Sequence, residues 1–455
     1  MAEPRNVLVV DVGKTNAKLV VVDTGALAEV EVMTRPNPVL PGPPYPHADV
    51  EGLWSFMLGG IAELHRRHRV DAVVVTTHGA TGALVDADGG LALPVLDYEH
   101  PGPDELAAAY DAARPGFAET GSPRLPAGLN LGAQIFWQFA RFPEAARTAA
   151  ILTYAQYWTR RLCGVAAVEP TSLGCHTDLW DPRRRTFSTL VDRQGWRRLM
   201  PEVRLAGDVL GPVTPAVAAA TGLPPDTPVH CGIHDSNASL LPHLRARAAP
   251  FAVVSTGTWV VSMAVGAAPT RLDPARDTLL NVNADGDPVP SARFMGGRER
   301  AVVMGGRPGT ATPADRAAVL ARGICLLPAV EPGSGPFAGR TAAWSVPEHD
   351  IGDGERAVAV SWYLALMTSV SLAEIGAQGP TIVEGPFAAN GDFCAMLAAA
   401  TGRPVAATAG GTGTSVGASL LAAPARRPRA DAADVLPEPG LAGYAALWRR
   451  LVGGA

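Results

Sequence analysis

Four residues stand out for the chemistry their types and settings could do: Asp11, Lys14, Lys18 and, far along the chain, Asp235. The stretch Val10-Asp11-Val12-Gly13-Lys14-Thr15-Asn16-Ala17-Lys18 holds the only two lysines among 38 basic residues. Lysine is a compact point charge that suits a phosphate approached end-on, whereas arginine is a planar fork. Apolar, strand-like runs flank the segment, Asn6 to Val10 before it and Leu19 to Asp23 after it. The pattern predicts strand, Gly-containing turn, strand. Backbone N–H groups, hydroxyls and lysines gather at the turn, with the Asp11 carboxylate at its mouth. That is the set of groups needed to hold a polyphosphate and its Mg²⁺. An ordinary β-hairpin with surface lysines fits the same residues.

The second centre is Gly232-Ile233-His234-Asp235-Ser236-Asn237. A strand delivers Asp235 to the start of a helix, where N–H groups and the macrodipole favour negative charge. A carboxylate there can accept the proton of a hydroxyl nucleophile. Capping the helix is the commoner use of Asp or Ser at such a position. A further loop, Ser255-Thr256-Gly257-Thr258-Trp259, repeats the small-residue and hydroxyl logic of the first, and read alone it is a hairpin turn. The cluster Gly410 to Gly417 gives room for a nucleotide or for close helix packing. It is neither GxxxxGK[ST] nor a clean GxGxxG. Asp431, at the spacing of a ribose-binding acid, lies in a Pro/Arg-rich stretch, which argues against a dinucleotide site.

The elements that must position these groups occur twice in the same order. Each half reads hairpin, strand, then strand to Gly turn to helix. The first half has Asp71 to Gly79 and Pro228 to Gly232; the second has Thr381 to Gly385 and Pro404 to Thr408. The order predicts two similar α/β domains, residues 1–245 and 246–455, each a mixed sheet flanked by helices. Ligands of such sheets lie at strand ends, so a cleft between the domains is the expected site.

A length of 455 residues suits two domains. The chain is 47% apolar and 18% charged, with a net charge of −5 and no basic block. It is therefore globular, and nucleic acid is not an expected partner. Five widely spaced cysteines without a CxxC pair read as reduced thiols in a cytoplasmic protein. The N-terminus, with Glu3 and an early Asp11, does not read as a signal peptide. Phe251 to Ala268 is uncharged but split by Ser255 to Thr258, which predicts two buried strands around a turn and no membrane span.

Taken together, the two Gly-turn hairpins, the GxHD turn and the late Gly cluster resemble the FGGY family of carbohydrate kinases, within the actin-like ATPase superfamily. The resemblance runs over nearly the whole chain. It includes Trp137 with Pro143-Glu144, the Tyr157 to Gly164 stretch, Ala206 to Gly211, and Thr221-Gly222-Leu223 leading into the GxHD turn. It implies two actin-like (ribonuclease H-like) domains, ATP and Mg²⁺ as cofactors, and a small-molecule sugar substrate. By position it implies that Asp11 organises Mg²⁺ through water and that Asp235 is the catalytic base. Gly13, Lys14, Thr15, Asn16 and Lys18 form the first phosphate loop, although a small hydroxyl residue is usual where Lys14 stands. Thr256, Gly257 and Thr258 form the second loop. Gly385, Gly410 and Gly411 lie near the adenosine.

His78, Gly79, Asp97, Glu99 and His234 fall where the family binds sugar, but the usual Q-x-x-G and W-x-D-x-R are altered. As alternatives, His78 fits a core histidine, and Glu99 with His100 fits a solvated pair. The His before the catalytic Asp resembles the kinases of 6-deoxyketoses, which favours L-rhamnulose, with L-fuculose, xylulose or another ketose or polyol as alternatives. Two other classes fit the fold: a non-catalytic sugar-binding regulator and an actin-like ATPase acting on a protein partner. A monomer or homodimer is expected.

Overall fold

The computed structural model describes residues 3–408, 413–428 and 434–453. The chain forms two compact units. The first comprises Met1–Ala246, Leu280–Pro288 and Thr412–Arg429; the second comprises Arg247–Leu279, Val289–Gly411 and Ala430–Ala455. The single break expected between 245 and 246 does not anticipate the two late returns to the first unit.

In the first unit, β1 (Asn6–Val12) and β2 (Asn16–Asp23) form the antiparallel hairpin expected around Gly13, and β3 (Ala28–Pro36) extends it. After α1 (Val50–His68), β4 (Ala72–Thr77) lies parallel to β1. The helix α2 (Tyr154–Cys163) follows, then β5 (Val209–Pro212), β6 (Pro228–His230) and β7 (Ile233–His234), which leads into α3 (Asp235–Ala246). The strand order is β5-β6-β4-β1-β2-β3, with β7 also on β4. Alternation along β1 sends Leu8 and Val10 to one face and Val7 and Val9 to the other. The first face packs with Leu53, Met57 and Ile61 of α1 and with Trp158 of α2. The second packs with Ala238 and Leu241 of α3 and with Ala418, Leu420 and Leu421. Both faces are covered at the centre of the sheet, so β1 and β4 carry near-continuous valine runs, whereas the edge strand β3 is mostly exposed.

The short helix Thr414–Ser419 explains one late return. A Cβ on Gly417 would lie 1.8 Å from the Ala238 carbonyl oxygen, so the glycine lets this helix touch the α3 backbone.

The second unit repeats the order. The hairpin expected across Phe251 to Ala268 is β8 (Phe251–Thr256) and β9 (Val260–Val265), and β10 (Pro288–Phe294) extends it. On the other side of β8 lies β11 (Thr381–Glu384), followed by β12 (Val405–Ala407), both parallel. Two antiparallel and two parallel neighbours thus stand in the same order as around β1. Helices α4 (Asp353–Glu374) and α5 (Gly391–Thr401) belong to this unit. Among the described residues α4 alone is long and apolar enough to cross a membrane, and 83% of its apolar window is buried within the protein.

Candidate functional site in the first unit

Asp11 is near the end of β1, opposite Lys18 on β2 and Thr76 on β4. Its carboxyl is pushed up to about 6, first by burial and then by the neighbouring Asp235 charge, with Lys18 working the other way. The structure thus brings together two carboxylates and a lysine from the two motifs. Lys18, Thr15 and Asn16 are exposed. No carboxylate among the described residues lies within ion-pair distance of Lys18.

Lys14 is placed differently. Its ammonium pairs with Asp97 and lies 3.3 Å from Glu99 Oε2, 4.6 Å from the centre of the Tyr98 ring. The turn is pinned by Gly13 N donating to Asn16 O at 3.0 Å and by Asn37 Nδ2 donating to Gly13 O at 2.8 Å.

The GxHD turn is not one strand running into a helix. Gly232 breaks it, with φ +89° and a would-be Cβ 2.6 Å from the Val75 carbonyl oxygen. The carbonyls of Cys231 and Gly232 accept from Gln156 Nε2, and Thr159 Oγ1 donates to Cys231 O at 3.2 Å. These two α2 side chains position the turn, and sequence reading missed them because nothing local marks a buried amide aimed at a backbone 75 residues away.

Asp235 opens α3 and stays partly exposed. Its Oδ1 accepts from Ser236 N at 2.6 Å, not from an amide two or three residues on as a capping carboxylate does. His234 Nε2 lies 3.3 Å from the same oxygen and 3.6 Å from Cys175 Sγ. The His234 amide donates to Thr171 Oγ1 at 3.0 Å, and that hydroxyl donates to Glu169 at 2.6 Å. Burial opposes charge on His234, but Cys175 and Asp235 together push it up to about 9. Cys175 is held well below the usual thiol range, against burial, by His176 and His234. The imidazolium is therefore fixed behind Asp235. The Glu169-Pro170 pair, an acidic cap before a first-turn proline, was a legible signal for this support.

His78 follows β4. Its Nδ1 lies 2.9 Å from Gly79 O, its ring packs at 5.4 Å on Tyr98 and 5.3 Å on Tyr154, and burial holds it below the usual imidazole range. Gly79 lies against His234. His78, Gly79, Asp97, Glu99, His234, Asp235, Asp11 and the first loop thus all belong to one unit.

In the second unit, Thr256 does not present a free hydroxyl. Its Oγ1 donates to Glu384 O and accepts from Phe387 N at 3.0 Å. Gly257 and Thr258 are exposed at the hairpin turn. Gly385 has φ +79°, and a Cβ there would meet Thr256 O at 2.0 Å. Beyond it a pocket is lined by Arg300, Arg316, Ser361, Phe387, Asn390 and Asp392. Gly410 and Gly411 lie outside the described residues.

The donors at Asp11 suit Mg²⁺, which takes one or two carboxylates and otherwise water and phosphate oxygens. Among the described residues no group of three or more His, Cys, Asp or Glu could hold a metal by itself. The set fits an ion that arrives with a polyphosphate.

The profile described as carbohydrate kinase FGGY, C-terminal domain, matches residues 248–430. The L-fuculokinase of Escherichia coli (strain K12) is 30% identical over 212 residues, which cover 44% of this chain and 43% of that protein. The matched stretch therefore spans less than half of that curated relative. The crystal structure of a carbohydrate kinase from Novosphingobium aromaticivorans is 36% identical, with a TM-score of 0.91, covering 98% of this chain and all of the other (100%). A ligand-bound xylulose kinase from Lactobacillus acidophilus, at 15% identity and a TM-score of 0.78 over 98% of this chain and 96% of the other, shares the fold. The repeated sheet order, the Gly-turn hairpins and the GxHD turn coincide with full-length similarity, and the chain belongs to the FGGY family of carbohydrate kinases.

Proposed function

We propose that the protein transfers the terminal phosphoryl group of ATP to a hydroxyl of a ketose, with Asp235 as general base. The observation that carries this reading is the grouping of Asp235, Asp11 and Lys18 at one end of the first sheet, with His234 behind Asp235. Asp235 takes the proton of the attacking hydroxyl as the new O–P bond forms and the bond from the γ-phosphorus to the β–γ bridging oxygen breaks, with ADP as the leaving group. His234, charged and hydrogen-bonded to Thr171 through its backbone, orients that carboxylate. Lys18, which pairs with no carboxylate among the described residues, is available to the transferring phosphates. Asp11 would hold Mg²⁺, which supplies neutralisation of polyphosphate charge when bound. The second unit, taken by itself, offers the exposed Gly257 and Thr258 to phosphate and the pocket beside Gly385 to a nucleoside.

The acceptor we favour is a 6-deoxyketose. The His before Asp235 supports L-rhamnulose, and the fuculokinase relative supports L-fuculose equally well. A screen of ADP release over ketoses and polyols tests the reading. Sugar-dependent ADP formation is expected, strongest with one of these two. Sugar binding without ADP release from any acceptor would instead make the chain a non-catalytic sugar-binding protein.

A further inference from the structure

Lys14 sits in the phosphate turn, yet its ammonium is held by Asp97 and Glu99 and rests over the Tyr98 ring. It is part-buried, with a side-chain exposure of 25%. Drawing it to a phosphate would strip two carboxylates of their cation. The same side chain lines a small pocket with Asn37, His78, Thr81, Asp97 and Tyr154. Polar atoms of that lining, Thr81 Oγ1 and Asn37 Oδ1 among them, are buried without a hydrogen-bond partner among the described residues. Thr81 is only 5% exposed. The Asn37 amide is oriented by its Nδ2 bond to Gly13 O, which leaves Oδ1 to accept. Where such atoms line a pocket, a water or a ligand hydroxyl can satisfy them.

The charges around this pocket select among ligands. Asp97 and Glu99 outweigh Lys14, so an anionic group would meet net repulsion. A neutral hydroxyl suits it: a volume of about 20 Å³ takes one such group, which can donate to Asp97 or to Asn37 Oδ1 and accept from Lys14, whose third N–H is not needed for its two carboxylates.

We propose that Lys14 is a specificity-determining residue for the acceptor, forming with Asp97 a subsite for a neutral hydroxyl of the ketose. This rests on the kinase reading above. It separates the two lysines by task, Lys18 to the phosphates and Lys14 to the sugar.

Steady-state kinetics with the full chain tests it, with melting temperature as the control for folding. Lys14→Ala should raise KM for the best ketose at least tenfold and leave KM for ATP within twofold. Lys14→Arg, which keeps the charge, should recover part of the loss, and Asp97→Asn should reproduce it. A Lys14→Ala enzyme with raised KM for ATP and unchanged KM for ketose would overturn the assignment, as would tighter binding of the corresponding sugar acid than of the ketose. Calorimetric titration of ketose without nucleotide separates this inference from the kinase reading. If the wild type binds ketose but releases no ADP, phosphoryl transfer fails as a reading, and Lys14 stands only if Lys14→Ala weakens that binding at least tenfold. Equal binding by wild type and Lys14→Ala sinks the inference, and no binding of any ketose or polyol by the wild type sinks both.

Discussion

Gly79 is the space into which His234 fits. A Cβ at position 79 would lie 2.7 Å from His234 Nε2 and 3.2 Å from Cys175 Sγ. The contact is with the nitrogen that faces Asp235, so the smallest added group would push the imidazole away from the carboxylate. Gly79→Ala should lower kcat at least tenfold, while overpacking of about 1–3 kcal/mol leaves the fold intact. Turnover and melting temperature measured together check it, and an active Gly79→Ala enzyme would show that His234 can move without consequence.

Asp235→Asn keeps the shape of the turn but cannot take a proton. A fall in kcat of roughly 10²–10⁴ is expected with ATP binding retained. Near-wild-type turnover would remove Asp235 from the role of base.

Lys18→Ala should lower kcat by roughly 10²–10³, the range seen when one electrostatic stabiliser of a transition state is lost. The loss should appear with every acceptor, because Lys18 is not aimed at the sugar. An acceptor-dependent effect would exchange the assignments of the two lysines.

The Asp11 carboxyl, raised from 3.8 to about 6, makes two opposed predictions. The folded state holds this proton more tightly than the unfolded chain, so the contribution to stability is present below pH 3.8 and lost as pH rises through 6. Asp11→Asn should therefore raise the melting temperature at pH 7, by an amount worth up to roughly 3 kcal/mol. The same substitution should abolish Mg²⁺-dependent turnover. In the wild type the acid limb of kcat/KM should move to lower pH as Mg²⁺ is raised, since a bound cation competes with the proton. An acid limb indifferent to Mg²⁺ would detach Asp11 from the metal.

His234 is raised from 6.5 to about 9, so its contribution to stability is complete below pH 6.5 and lost as pH passes 9. Replacing Cys175 with Ser removes the sulfur that helps to hold the charge on His234. The imidazole should then titrate well below 9, and nitrogen-15 shifts of the His234 ring read this directly. An unmoved titration would assign the support to Asp235 alone.

The repeated order of strands was legible because it is written in local patterns: Val runs broken by Gly turns, and a Gly before His234-Asp235. The hairpins at Gly13 and Gly257 and the pairing of β4 and β11 with their hairpins follow from those. What stayed hidden depends on distant partners. Lys14 looks like a phosphate ligand until Asp97, 83 residues on, is seen beside it. Thr256 looks like a donor until the carbonyl of Glu384 is found to take its proton. Cys175 is anonymous in sequence because thiols carry no local signal, and only the fold sets it against His234. The segment around Gly417 read as part of a nucleotide or packing cluster, and its contact with Ala238 could be chosen over the alternatives only in three dimensions.

That last contact has a consequence for biosynthesis. The face of the first sheet formed by Val7, Val9, Val20 and Val74 is completed by Ala418, Leu420 and Leu421. A nascent chain leaving the ribosome therefore carries this face incompletely covered until Ala418, Leu420 and Leu421 have emerged. Early emergence of residues 1–246 does not give a finished fold, and cutting the gene after Ala246 would yield a fragment with exposed valines and a tendency to aggregate.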